Sequence, residues 1–258
     1  MIVLHRILAF IFCSFVALPI LWMLYSAFLP AEAILYLDMT TFGFSLANFQ
    51  QAFQSGIWRA LAISLLVSGA TVALQLVTGL MIAYALRAGL KLRWLVLFSL
   101  AIPSELLMVP LYRELQIFGL LNTLWALVLP FAASPLIIFL LYQSLGRLPW
   151  ALVEAAHLDG ASELRITFGI LAPLLRPEML AAAILAFAAH WNLVLFPKVM
   201  IDQEHLYTVQ VFLNQLLRDH PLDWGLLGAA SLLATLPLVL LYLMFEQRIT
   251  QVFESSFK

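Results

Sequence analysis

The residues best suited to chemistry in this sequence gather between Arg147 and Glu178, where seven charged side chains stand in an otherwise oily chain. Inside that stretch His157 and Asp159 form an H-x-D pair, a spacing that suits metal coordination. Two ligands do not make a site, and neither a cysteine nor an HExxH sequence lies near. The pair reads as a helix position beside a structural acid. Ser134 and His190 are the loose candidates for a nucleophile and its base, and no motif surrounds either. Nor does Gly-Lys-Ser or Gly-Lys-Thr occur anywhere, so no phosphate-binding loop of Walker type is available. The chain is expected to be catalytically silent, and the charged island needs another explanation.

The elements that must position the island are membrane elements. Mean hydropathy is +1.01 and charged residues make up 10% of the sequence, against about 25% in soluble domains. Too little polar material is present to cover a water-facing surface, so the chain is read as an integral membrane protein whose first partner is the lipid bilayer. A net charge of -1 argues against nucleic acid, which calls for a basic face. The single cysteine, Cys13, excludes a disulfide framework within the chain. Residues Ile7 to Ala31 are uncharged and followed by Ala31–Ala33, which resembles a signal peptide with a small-residue cleavage site. The run exceeds the roughly 7–15 residues of a secretory h-region, so a retained first span is expected.

About 20 apolar residues cross the hydrocarbon core, and backbone groups without water must be satisfied within helices. The apolar stretches predict an all-α fold, one membrane domain over 1–258, with six transmembrane helices near 7–29, 60–86, 94–113, 122–144, 178–198 and 224–245. Nine of the twelve prolines lie in or beside these stretches or at the island's end, which predicts kinks. Ser64 with Ser68, and Ala182 with Ala186, suit close helix contacts. With the amino terminus inside, cytoplasmic segments carry nine Lys and Arg and outer segments four. That bias puts both termini and the island, 147–177, in the cytoplasm, between spans four and five.

Asp and Arg each cost about 2.5–3.5 kcal/mol at a membrane helix centre, so the island stays in water. Pro149 fits the first turn of a helix. Trp150, Leu152 (or Val153) and Ala156 follow at helical spacing, with Glu154 near the positive end of the dipole. Gly160 stops that helix through a left-handed conformation. Ser162 caps a second helix with Glu163 in its first turn, and Pro173 and Pro177 limit it. The reading is a rigid elbow of helix, glycine turn and helix. An interfacial helix lying among headgroups is the plainer alternative.

The letters of the elbow are more particular. "EAAHLDGAS…ITFGILAPLLRP" closely resembles the EAA signature of bacterial ABC importer permeases, with Glu154, Ala155, Ala156, Asp159, Gly160, Ala161, Phe168, Ile170 and Pro173 in register. "PLYRELQIFGLLNTLWALVLP" (110–130), Trp191–Asn192 and Trp224–Gly225 look like the carbohydrate-type subfamily, which includes maltose and glycerol-phosphate systems. Leu193 stands where that subfamily often has a polar residue. The family also tends to end in a glycine-rich segment before a final lysine. Here "FEQRITQVFESSFK" keeps Lys258 without the glycines, and no role is carried over for the tail.

The resemblance implies a transmembrane permease subunit of an ATP-driven importer for a sugar, sugar derivative or glycerol phosphate, in a bacterial inner membrane. Glu154, Ala155, Ala156, Asp159, Gly160, Ala161 and Pro173 would form its coupling loop, docked on a separate ATPase. The implied partners are two ATP-binding subunits, a second homologous permease and an extracytoplasmic substrate-binding protein. No cofactor would be bound by this chain, ATP being used by its partners. Polar groups inside spans are functional hypotheses by default, which makes Asn192, Trp191 and Glu105 candidates for the translocation path. Helix-to-helix hydrogen bonding competes for the fifth span, and an outer interface beside Arg113 competes for Glu105. "DQEHLYT" (202–208) and "LRDHPLDW" (217–224) are expected as outer loops. The rival functions are a stand-alone secondary transporter, which would want an internal repeat, and an intramembrane enzyme.

Overall fold

A computed structural model describes residues 2–29 and 44–256. Ala31–Ala33 and Lys258 lie outside the described residues. Among those described the secondary structure is helical and includes no strand. The helices used below are α1 (Ile2–Ala27), α2 (Ala47–Gln54), α3 (Ile57–Arg87), α4 (Arg93–Ser99), α5 (Met108–Ile117), α6 (Leu124–Val128), α7 (Pro135–Arg147), α8 (Ala151–Leu158), α9 (Arg176–Trp191), α10 (Leu195–Met200), α11 (Val209–Asp219) and α12 (Trp224–Ser256).

Three helical segments, His5–Ala27, Ile57–Arg87 and Trp224–Glu246, are long and apolar enough to cross a membrane. Three further pairs reach that length only when taken together, bent by 96° between Arg93–Ser99 and Ser104–Ile117, by 41° between Leu124–Phe131 and Pro135–Arg147, and by 87° between Arg165–Leu174 and Arg176–Trp191. Among the described residues the total reaches six if each bent pair is one crossing, and the third pair would then draw in Arg165–Leu174, a segment expected from the sequence to lie in the island outside the membrane. Each bend has a proline at it. Pro103 precedes Ser104, while Pro135 and Pro177 sit in the first turns of α7 and α9, where a missing N–H costs nothing. Pro19 and Pro237 instead lie inside unbroken helices.

By contact the chain divides into two units, residues 1–62 with 208–239, and residues 63–207 with 240–258. The first has a core of Ala52, Ile57, Leu216, Leu226 and Ala230. Its main polar tie is Asn48, buried in α2, whose Nδ2 donates to the carbonyls of Ala27 (3.0 Å) and Leu29 (2.7 Å) where α1 runs out of internal partners. Asp223 caps α12 by accepting the Leu226 N–H at 2.9 Å. Gly225 of the Trp224–Gly225 pair has a physical reason: a Cβ on residue 225 would stand 2.6 Å from Asn48 Nδ2. Gly225→Ala is therefore expected to push that amide off its carbonyls and to cost about 1–3 kcal/mol. Thermal unfolding in detergent reads this as a lowered Tm, and an unchanged Tm would show that Asn48 can move aside freely.

The second unit holds two apolar clusters. One joins Leu80 and Tyr84 of α3 to Ile137 and Leu141 of α7 and to Val153, Ala156, Ile166 and Leu171 of the island. Gly79 permits the α3–α7 approach, since a Cβ there would meet Ile137 Cγ2 at 3.1 Å. The other cluster gathers Val67, Leu115, Leu127, Phe196 and Met200. Ser64, Ser68, Ala182 and Ala186, the small residues expected at close contacts, are all buried.

Candidate functional site

The island folds as an elbow whose turn is specified residue by residue. Pro149 opens it, and Leu152 N–H donates to the Pro149 carbonyl at 3.2 Å. At the far end of α8 the N–H of Ala161 donates to Ala156 O (3.0 Å) and that of Gly160 to His157 O (3.0 Å). These two bonds are the 6→1 and 5→2 pair of a Schellman motif, with Gly160 at φ +74° as its left-handed residue. Ala161 packs onto the cluster that holds Ala156, the small apolar contact that accompanies such a turn. Ser162 then starts the second arm, its Oγ accepting the Arg165 N–H at 3.4 Å. That arm winds as a π-helix over Arg165–Leu171, continues through Ala172–Leu174 with Pro173 exposed, and turns by 87° into α9.

Burial divides the elbow into two faces. Val153, Ala156, Ile166, Leu171 and Leu175 point into the protein; of the two residues offered for the inner face of α8, Val153 takes it and Leu152 is exposed. Glu154, Ala155, Leu158, Asp159 and Gly160 form the outer face, with Leu158 90% exposed. A Cβ at Gly160 would meet nothing within 4 Å, so that glycine is required by its conformation and not by crowding.

One contact of the elbow had no signal in the sequence. Tyr84, near the end of α3, donates from its hydroxyl to Glu163 Oε2 at 2.6 Å. His157 Nε2 lies 3.5 Å from the same hydroxyl and 3.7 Å from Glu163 Oε1. The Tyr84 ring stacks on Trp150 (centroids 6.1 Å apart, planes at 26°), and the Arg87 guanidinium stands 5.9 Å from the centre of the Trp150 ring. His157 thus partners Glu163 and Tyr84, from the other side of the turn.

The polar residues of the apolar stretches separate into two kinds. Gln75 of α3 donates from Nε2 to Phe131 O (2.8 Å) and faces His190 Nε2 at 2.9 Å. An amide nitrogen only donates, so this His190 nitrogen accepts and the ring proton sits on Nδ1. Thr78 Oγ1 donates to Ala132 O at 2.7 Å. Phe131 and Ala132 stand at the break before α7, so these side chains satisfy carbonyls that the bend has freed. His190 is engaged in helix-to-helix bonding. A period of three or four residues running Ser64, Ser68, Thr71, Gln75 and Thr78 was the available hint.

Trp191 is 1% exposed and stacked on Phe187 at 5.4 Å. Asn192 is exposed, follows the last residue of α9, and donates from Nδ2 to Ala188 O at 2.9 Å. Between it and α10 the helix is interrupted through Val194, in the last third of the stretch expected as one span. Glu105 is exposed in a short 3-10 helix at the 96° bend.

The fold is shared with known proteins. The family described as binding-protein-dependent transport system inner membrane component matches residues 75–251. The arabinooligosaccharides transport system permease protein AraQ of Halalkalibacterium halodurans is 32% identical, over 93% of this chain and 90% of that protein. The diacetylchitobiose uptake system permease protein NgcG of Streptomyces coelicolor is 33% identical, over 91% and 81%. Among solved structures, a chain of a bacterial ABC transporter involved in the import of the acidic polysaccharide alginate superposes with a TM-score of 0.83, covering 95% of both chains at 19% identity.

Proposed function

Because the chain belongs to the family of inner-membrane components of binding-protein-dependent transport systems, we propose that the outer face of its elbow is where a separate ATPase takes hold of it. Membership makes the chain a transport permease of an ABC importer and not an enzyme. ATP is used by its partner subunits, and a binding protein supplies the substrate.

The observation that carries the docking proposal is the division of the elbow into a buried face and an exposed one. Glu154 and Asp159 reach outward, where they can meet a partner; Ala155 leaves room for close approach; Ala156 and Ala161 hold the turn from within; Gly160 supplies its left-handed residue and Pro173 lies near the end of its second arm. Both termini and the elbow face the cytoplasm, as the excess of Lys and Arg on that side supports. Two ATPase subunits and a second, similar permease complete the assembly. The substrate class is a sugar, sugar derivative or glycerol phosphate, as relatives named for arabinooligosaccharide, diacetylchitobiose and sn-glycerol-3-phosphate transport support.

Asn192 lines the translocation path, with Trp191 anchoring the helix end behind it. Helix α9 has 16 residues, about 24 Å at 1.5 Å per residue, short of the roughly 30 Å hydrocarbon core. An interrupted backbone at that depth is tolerated where it is covered by protein or lines a wet cavity. Glu105, at the most sharply bent of the three pairs, marks a mouth of the same path.

In a chain with Cys13 replaced by serine and a cysteine at Leu158, a membrane-impermeant maleimide is expected to label inside-out vesicles and spare intact spheroplasts. Crosslinking from that cysteine should capture an ATPase subunit. Co-purification from native membrane, followed by mass spectrometry of the ligand on the recovered binding protein, is expected to find a carbohydrate. Labelling from the outside would overturn the docking proposal.

A further inference from the structure

A lever that transmits force must not fold at its own joint, and Gly160 cannot by itself prevent that. It sits in open space, with no atom within 4 Å of where a Cβ would be, and glycine is the residue that most readily changes backbone conformation. The Schellman bonds close the end of α8, but they do not tie the second arm back to the first. The buried cluster packs both arms onto α3, but apolar contact is non-directional, so the angle between the arms calls for a directional tie.

We propose that Tyr84, Glu163 and His157 form a clasp that locks the two arms of the elbow about Gly160 and fastens them to the end of α3. The proposal rests on the coupling role given to the elbow above and assigns the positioning residues which that role requires. His157 precedes the glycine and Glu163 follows it, so the Tyr84 hydroxyl, 3.5 Å from one and 2.6 Å from the other, bridges the joint from outside. The His157–Glu163 approach of 3.7 Å closes the same triangle directly. Trp150, at the root of the first arm, holds the Tyr84 ring by stacking and carries Arg87 on its own ring, which fixes the hydroxyl in place. Three separate parts of the elbow therefore converge on the last turn of one helix.

Chemistry favours the hydroxyl as the clasp's working atom. A phenol donating to a carboxylate makes a short, charge-assisted bond, stronger than a neutral pair. Tyr84 is buried while the Glu163 side chain is 66% exposed, so the fixed member belongs to the spanning helix and the movable member to the elbow. With the clasp shut, a displacement imposed on α8 is delivered to α3. With it open, the same displacement is absorbed by rotation at Gly160.

The test needs no knowledge of the substrate. In the full chain assembled with its ATPase and partner permease, and with Cys13 replaced by serine, spin labels are placed at Leu90, just past α3, and at Leu158 on the outer face of α8. Their separation is measured by pulsed electron resonance without nucleotide and with ATP plus vanadate. In the parent chain the distance distribution is expected to be single, narrow and the same in both states. Tyr84→Phe keeps the stacked ring and removes the bond, which lowers the ratio of shut to open arrangements about tenfold. A second, nucleotide-dependent distance should appear in it and in Glu163→Ala. Glu163→Gln, which retains an acceptor, should restore the single narrow one. The double variant Tyr84→Phe/Glu163→Ala should fall short of the sum of the two single effects, as for residues that share one bond. A parent distance that shifts with nucleotide, variants as narrow as the parent, or additive effects would each overturn the clasp. Crosslinking of Leu158→Cys to the ATPase reports separately on the coupling role.

Discussion

Replacing Gly160 by proline is expected to abolish uptake of the sugar recovered on the binding protein, while the chain remains in the membrane at its normal level. Residue 160 has φ +74°, and the proline ring holds φ near −65°. The substitution also removes the N–H that donates to His157 O. Together these cost about 3 kcal/mol or more in this conformation, enough to displace the turn and reorient α8. Insertion should survive, because neither α7 nor α9 includes the turn. Gly160→Ala separates conformation from crowding: no neighbour is met, and the strain is about 1–2 kcal/mol. Gly160→Asn should be milder still, since asparagine visits the left-handed region more readily. Uptake rates with membrane content by immunoblot give the order glycine, asparagine, alanine, proline. Normal uptake by the proline variant would count heavily against the elbow as a lever.

Glu154→Lys is expected to separate the chain from its ATPase without unfolding it. Glu154 is exposed in the first turn of α8, so the fold loses only the favourable interaction of a carboxylate with the helix N-terminus, about 0.3–1 kcal/mol. A charge buried on docking is a different matter. Removing one member of a buried, hydrogen-bonded charge pair costs about 2–5 kcal/mol, and reversal adds repulsion. Retention of the ATPase in a detergent pull-down should therefore fall by more than about tenfold, with Tm nearly unchanged. Glu154→Gln should fall in between. Full retention by the lysine variant would show that Glu154 lies outside the docked surface.

The contrast between these residues and Tyr84 shows how far sequence reading reaches. Pro149, Gly160 and Ser162 act on their own neighbours, and their types alone specify helix, turn and cap. The Tyr84–Glu163 bond joins residues 79 apart, and nothing local marks either as the other's partner. Hydropathy likewise finds apolar stretches and cannot see where their backbone breaks. The stretch 178–198 has no glycine and its one proline is Pro197, yet its helix stops at Trp191 and a new one begins at Leu195. Proline narrows the choice without deciding it. Pro135 and Pro177 begin helices while Pro19 and Pro237 are carried inside them; at the break before Pro135, Gln75 and Thr78 take up the carbonyls of Phe131 and Ala132.

The first helix carries a practical consequence of another kind. Within its crossing segment, His5–Ala27, no residue of the most apolar window is buried among the described residues, and Phe10, Phe12 and Phe15 stand outward where a packed helix would show small residues. Hydrocarbon tails suit such a surface as well as leucine does, so in the bilayer nothing obliges it to find a protein neighbour. Taken out of lipid, the same sleeve of aromatic rings has no tolerable contact with water. The amphiphile chosen for extraction therefore stands in for a missing part of the molecule's solvent, and should be matched first to this helix.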